Sequence, residues 1–303
     1  MSDVARHDLE LTSRGVALGA WHYPAASEAW TTARGRPVVV MAHGFGATRD
    51  AGLTPFAERF AAAGADVVVF DYRGFGTSAG TPRQLVDHRR HREDYRAVVE
   101  QVRRLPGVDP ERVVLWGSSY SGGHVVAVAA DDPRIAAVVS QGAAMDGLAA
   151  VVQILSYAGP RQLLRLTAHA LWGTVSRAHS MPIVGAPGTL AAITSADGLA
   201  GYELIMGPTF ENRMPARGIL PIMLNRPVAS AERLRMPVLL VLAERDTIAP
   251  PAAVRKVAQR VRGPVTVEAM DVGHFEIYAG APFERSVSAQ LAFLDSVLGP
   301  GAV

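Results

Sequence analysis

The 303-residue chain contains no cysteine. That absence removes disulfides, thiolate metal sites and a cysteine nucleophile together. Lysine is almost missing too: Lys256 stands alone, so arginine carries nearly all of the 30 positive charges set against 28 acidic ones. The resulting formal charge of +2 argues against a nucleic-acid partner. No run of about 18 apolar residues free of charges and turn breakers occurs, so no membrane span is expected. Residues 1–8 are polar and lack the apolar core of a signal peptide, and a soluble cytoplasmic protein is expected. What remains is the composition of a packed globule, 49% hydrophobic and 19% charged, which excludes wholesale disorder.

Short β-branched runs alternate with longer amphipathic stretches, the pattern of a parallel sheet flanked by helices in an α/β protein. Strands are expected at 37–41, 66–70, 112–116, 135–139, 237–242 and 265–268. Their near-continuous apolar character suits burial on both faces. Helices are expected at about 51–63, 85–104, 122–130, 250–261 and 282–298, and an antiparallel leader hairpin at 10–24. From Gly147 to Asn225 no valine-rich strand occurs, while Leu, Met, Ala, Gly and Pro accumulate. A crossover needs only a dozen or so residues, so 147–225 is expected to be a mainly helical cap inserted between core segments 1–146 and 226–303. The dense charge run His88-Arg89-Arg90-His91-Arg92, followed by Glu93 and Asp94, reads as a solvated helix face.

Directly after the strand at 112–116 comes Gly117-Ser118-Ser119-Tyr120-Ser121-Gly122-Gly123, with helix-competent sequence behind it. A serine held on a tight strand-to-helix turn needs small residues two before and two after it, and Gly117 and Ser121 supply them around Ser119. A second register, centred on Ser121, is also possible; Ser119 is preferred because the turn must follow the strand end at once. Asp246 and His274 each follow a predicted parallel strand, on the sheet edge where open α/β sheets build their sites. Serine is a poor nucleophile at neutral pH. His274 can take its proton while Asp246 fixes the imidazole, and Asp146 is the alternative carboxylate. The backbone N–H groups of Phe45, in Ala42-His43-Gly44-Phe45-Gly46, and of Tyr120 are the expected oxyanion donors. His43 is read as a brace for that loop, and Asp71 and Arg73 as ties between neighbouring loops.

Taken together, His43-Gly44-Phe45-Gly46, Asp71-Tyr72-Arg73-Gly74-Phe75-Gly76 with Ser78, Gly117 through Gly122, Asp246 and Gly273-His274 resemble the α/β-hydrolase superfamily. The likeness spans about residues 14–298. It implies the α/β-hydrolase fold and a nucleophile, acid and base in the order found here. The elbow is also similar to that of the X-prolyl dipeptidyl peptidase and cocaine esterase group, although the chain is too short for that group's C-terminal β-domain. Ser119 stands where epoxide hydrolases and haloalkane dehalogenases of this fold require aspartate and where dienelactone hydrolases use cysteine. The resemblance therefore implies serine chemistry on a small-molecule ester or thioester, with no cofactor and no metal. Transfer, cyclisation or elimination with the same triad, and ligand binding without catalysis, are the alternatives. Tyr157, Trp172, Met181 and Met206 are the expected substrate-binding residues of the cap, whose apolar side chains favour a medium-sized apolar group. A homodimer is compatible with the sequence.

Overall fold

The computed structural model describes residues 5–299. Two antiparallel strands, β1 (His7–Ser13) and β2 (Val16–Tyr23), lead into β3 (Arg36–Ala42), helix α1 (Thr54–Ala63) and β4 (Asp66–Phe70). Then come α2 (His88–Val102), β5 (Val108–Ser118), α3 (Tyr120–Ala129) and β6 (Ile135–Gln141). The next stretch holds α4 (Gly147–Val175), β7 (Ser180–Met181), α5 (Gly198–Ile205), β8 (Met214–Pro215) and a 3-10 segment, Ala216–Leu224. The chain closes with β9 (Val238–Ala243), α6 (Pro251–Ala258), β10 (Val265–Met270) and α7 (Gly280–Leu298).

Eight strands form one sheet in the order β1-β2-β4-β3-β5-β6-β9-β10. From β4 through β10 all neighbours are parallel, and the leader hairpin adds two antiparallel strands at the β4 edge. The alternation of side chains along a strand splits the valine-rich runs between two faces. Val38 and Val40 of β3 join one core with Tyr95 and Val98 of α2, Val125 of α3 and Val254 of α6. Val39 and Met41 join the other with Phe56 and Phe60 of α1 and Val287 and Leu294 of α7. All six expected parallel strands are present and adjacent. The hairpin starts earlier than expected, at His7, and turns at Arg14-Gly15, both with positive φ.

One edge of the sheet gathers the chemistry. His43 follows β3, Asp71 follows β4, Ser119 follows β5, and Asp246 and His274 lie just past β9 and β10. Between β6 and β9, α4 breaks at Gly159 (φ 75°, ψ 174°) ahead of Pro160, whose ring and missing N–H forbid an unbroken helix. Strand pairing in this stretch is limited to the two-residue ribbon β7–β8 and a single Val184–Ile193 bridge. No helix among the described residues is long and apolar enough to cross a membrane.

Candidate active site

β5 runs out at Ser118 and α3 begins at Tyr120, which leaves Ser119 alone in the turn with φ 57° and ψ −119°. A non-glycine residue held there stores roughly 1–3 kcal/mol of strain and survives only when its surroundings fix it. They do. Ser119 N–H donates to Gln141 O of β6 at 2.8 Å, and Ser119 O accepts from Ala144 N–H at 3.0 Å. A Cβ on Gly117 would run into the backbone of Ser121, and one on Gly44 would sit 3.0 Å from Ser119 Cβ. Ser121 is fully buried and its hydroxyl is committed to the elbow itself: it accepts from Ser118 N–H at 2.9 Å and lies 2.6 Å from Ala42 O. The alternative register around Ser121 is thereby excluded, since that oxygen clips β5 to β3 and faces no open space.

Three side chains meet above the turn. His274 Nε2 lies 3.0 Å from Ser119 Oγ, and His274 Nδ1 lies 2.6 Å from Asp246 Oδ2. Asp246 Oδ1 accepts from the N–H groups of Ile248 and Ala249 at 2.8 and 2.7 Å, which leaves Oδ2 for the imidazole. Burial of His274 disfavours its charged form, but the adjacent Asp246 carboxylate outweighs burial, with a smaller push from Asp197, and the net pKa is raised above 6.5. Asp146, the alternative acid, is occupied elsewhere: it caps α4 through Leu148 N–H and takes a two-pronged contact from Arg226 at 3.1 Å.

Phe45 and Tyr120 flank Ser119, their rings packed edge to face at 5.4 Å. Neither backbone N–H has a protein acceptor among the described residues. His43 Nδ1 lies 3.1 Å from Gly44 O, the carbonyl of the peptide that carries Phe45 N–H. Burial lowers the His43 pKa to about 4, so this ring is neutral and braces the loop. Tyr202 of α5 donates its hydroxyl to Phe45 O at 2.6 Å, and Ile183 packs on Gly46. Asp71 accepts from Arg49 N–H and Thr77 N–H and so ties the loops after β3 and β4 together, whereas Arg73 reaches Glu93 and Asp94 and ties its loop to helix α2 instead of to a neighbouring loop.

Among known proteins, the family described as serine aminopeptidase, S33, has a profile that matches residues 33–273 of this chain. The chain belongs to that family. The quorum-quenching protein AidA of Acinetobacter baumannii is similar to this S33-family chain, at 37% identity over 298 residues, 96% of this chain and 95% of AidA. The thiohydrolase aneE of Aspergillus aculeatus is 28% identical over 280 residues, 86% of each chain. The solved structure of DcsB in complex with its substrate analogue has a TM-score of 0.82 at 20% identity, covering 97% of this chain and 99% of that one. The fold is the α/β-hydrolase fold, and the S33-family chain belongs to a family of hydrolytic enzymes.

In this S33-family chain Ser119 opens onto a cleft, partly open to solvent, between the elbow and α4. Gly147, Ala150, Ile154 and Tyr157 line it from successive turns of one α4 face. Tyr157, expected to bind substrate, lies on the cleft wall. The other three residues expected to bind substrate do not line this cleft. Trp172 lies beyond the Gly159 break, is 64% exposed and stacks on His179 at 5.4 Å. Met181 is buried in β7, paired with Met214, and Met206 ends α5 packed against the core. Among the described residues no three His, Asp or Glu side chains converge as a metal site.

The charge run on α2 departs from expectation. His88 and His91 are buried and Arg92 is half-buried, while Arg89 stays exposed. His91 stacks on Tyr72 at 4.1 Å and meets His124 of α3 at 5.5 Å, and His124 meets Tyr120 at 4.6 Å. The signal was available: His88, His91, Tyr95, Val98 and Val102 follow the spacing of one helix face, and only the polarity of the first two disguised it.

Proposed function

We propose that this protein is a serine hydrolase that cleaves a carboxylic ester or thioester of a medium-sized apolar substrate through an acyl-enzyme on Ser119. One observation carries the reading: an unbroken hydrogen-bonded chain from Asp246 through His274 to Ser119, at the mouth of a mainly apolar cleft. His274 Nε2 takes the Ser119 proton as Oγ bonds to the substrate carbonyl carbon. The negative charge on the carbonyl oxygen is met by the Phe45 and Tyr120 N–H groups, each worth about 3–4 kcal/mol to the transition state. The carbon–oxygen or carbon–sulfur bond then breaks and the leaving group carries off the His274 proton. Water, deprotonated by His274, attacks the acyl-enzyme and releases the acid. Residues 147–225 act as the cap, which closes the cleft through α4 and braces the Phe45 loop through Tyr202. The relative named as a thiohydrolase supports including thioesters.

Labelling with a fluorophosphonate, peptide mapping and a series of p-nitrophenyl esters and thioesters of rising acyl length test the proposal. An adduct on Ser119 and a chain-length optimum support it; no adduct and no turnover overturn it. Labelled oxygen from water must appear in the released acid, or the acyl group is being transferred instead of hydrolysed. The likeness of the elbow to the X-prolyl group adds one arm, an X-prolyl amide substrate, on which turnover would point to that group's peptide specificity and away from an ester or thioester.

A pH dependence follows from the site. His274 works only when neutral, and Asp246 raises its pKa above 6.5. The rate kcat/KM on an ester is therefore expected to rise with pH through a single limb whose midpoint lies above 6.5, because this quantity reports the free enzyme. Asp246→Asn removes the charge that holds the proton and is expected to move the limb downward; an unmoved limb in that variant contradicts the assignment of Asp246.

A further inference from the structure

The cleft beside Ser119 is apolar except at a few points, and those points differ in what they have left to give. Asp146 is saturated by Arg226 and the α4 N-terminus. The Tyr157 hydroxyl lies beside Thr194. Asn225 is the exception. It is only 2% exposed, it lines the cleft, and its backbone is anchored on both sides, Asn225 O accepting from Gly147 N–H at 2.8 Å and Asn225 N–H donating to Ile222 O at 3.0 Å.

Its side chain has one defined orientation. Arg92 donates from its guanidinium to Asn225 Oδ1, and a guanidinium cannot accept, so the oxygen must face Arg92 and the NH₂ must face away. Arg92 forms no ion pair among the described residues, and burial lowers its pKa without removing the charge. A half-buried cation thus polarises the amide from behind. The Tyr120 hydroxyl lies beside this amide, and an amide nitrogen has two hydrogens, so at least one N–H is left for the cleft. An N–H donor held in an apolar cavity with nothing to bond is costly unless a ligand supplies the acceptor.

The position relative to Ser119 says which part of the substrate reaches it. His274 borders a second, smaller cavity, with Tyr202 and Phe275, and does not line the larger cleft. The leaving group must lie on the His274 side to receive its proton. The acyl chain therefore occupies the larger cleft, where Asn225 is.

We propose that Asn225 is a specificity residue that receives an oxygen acceptor, a carbonyl or hydroxyl carried on the acyl chain away from the scissile carbonyl, and that Arg92 is the positioning residue behind it. The preferred substrate class is an oxygenated acyl ester or thioester. This rests on the hydrolase reading above and deepens it.

The test is an oxo scan. Thioesters of hexanoic acid and of its 3-oxo, 4-oxo and 5-oxo derivatives are compared by kcat/KM in the wild type and in Asn225→Leu, Asn225→Asp and Arg92→Met. The quantity read is the oxo-to-plain ratio in the wild type divided by the same ratio in each variant, so intrinsic reactivity and any misfolded fraction cancel. For at least one oxo position this double ratio is expected to be about tenfold or more with Asn225→Leu, the size of one hydrogen bond to a buried donor. Asn225→Asp keeps an acceptor for Arg92 while removing the N–H, and is expected to lower the variant's own oxo-to-plain ratio to the Leu value or beyond. Arg92→Met is expected to lower it partly. A double ratio near one at every position overturns the role of Asn225 and leaves the hydrolase reading standing on the Ser119 adduct and plain-ester turnover; loss of adduct and turnover overturns both.

Discussion

Replacing Ser119 with alanine is expected to lower kcat on any accepted ester by about 10⁴- to 10⁶-fold, because the members of such a triad act as a unit. The residual rate comes from what the variant keeps, the Phe45 and Tyr120 amides and the apolar cleft. Folding is unharmed, since among the described residues the Ser119 hydroxyl has one partner, His274 Nε2, which the variant merely loses. Ser119→Gly separates chemistry from strain. At φ 57° and ψ −119° a side chain is costly and glycine is not. Glycine is therefore expected to abolish turnover equally and to raise the melting temperature above that of the alanine variant by about 2–5 °C, on roughly 1–2 kcal/mol of relieved strain. Calorimetry and ester kinetics on the two variants check both halves. Alanine activity within a hundredfold of wild type sinks the nucleophile assignment, and equal melting temperatures sink the strain argument.

The parts of this site that were legible in sequence are those set by local sterics. Gly117, Gly44 and the small Ser121 crowd against one another or against Ser119, so each position tolerates little else and the elbow shows in a seven-residue window. Asp246 and His274 were legible because each follows a strand whose valines and leucines announce it. The cleft wall was not. Residues 147–175 are apolar on nearly all sides, so no polar face reveals which side chains turn inward. Gly147, Ala150, Ile154 and Tyr157 do so, while the break at Gly159 sends Trp172 outward. The pairing of Arg92 with Asn225 escaped notice for a different reason. They lie 133 residues apart, and only the folded chain brings them together.

Stability is expected to fall steeply between pH 7.5 and 5, earlier than carboxylate titration alone would cause. Burial lowers the pKa of His43 to about 4 and of His88 to about 4, and burial pushes His91 and His124 well below 6.5. A histidine with a lowered folded pKa binds fewer protons than its unfolded counterpart, so its contribution is intact above 6.5 and is lost as pH falls through that value. His43 alone loses about 2 kcal/mol by pH 5. Opposing changes exist: Asp71, raised to about 6 by burial, returns roughly 1.4 kcal/mol over the same range, and Asp94 and His274, both raised, act in the same sense. The histidines outweigh them because His91 and His124 are wholly enclosed among Tyr72, Tyr120 and each other, with Arg92 adding like charge to His124, whose ring nitrogens have no hydrogen-bond partner among the described residues. A drop in melting temperature of about 5–10 °C between pH 7.5 and 5 is the expected result. His91→Phe with His124→Leu keeps the ring stack on Tyr72 and removes two of the titrating groups. Whatever its absolute stability, this double variant is expected to show a shallower dependence of melting temperature on pH. A flat wild-type profile, or an equally steep one in the double variant, shows that the buried histidines behind Tyr120 do not govern the acid limit of the fold.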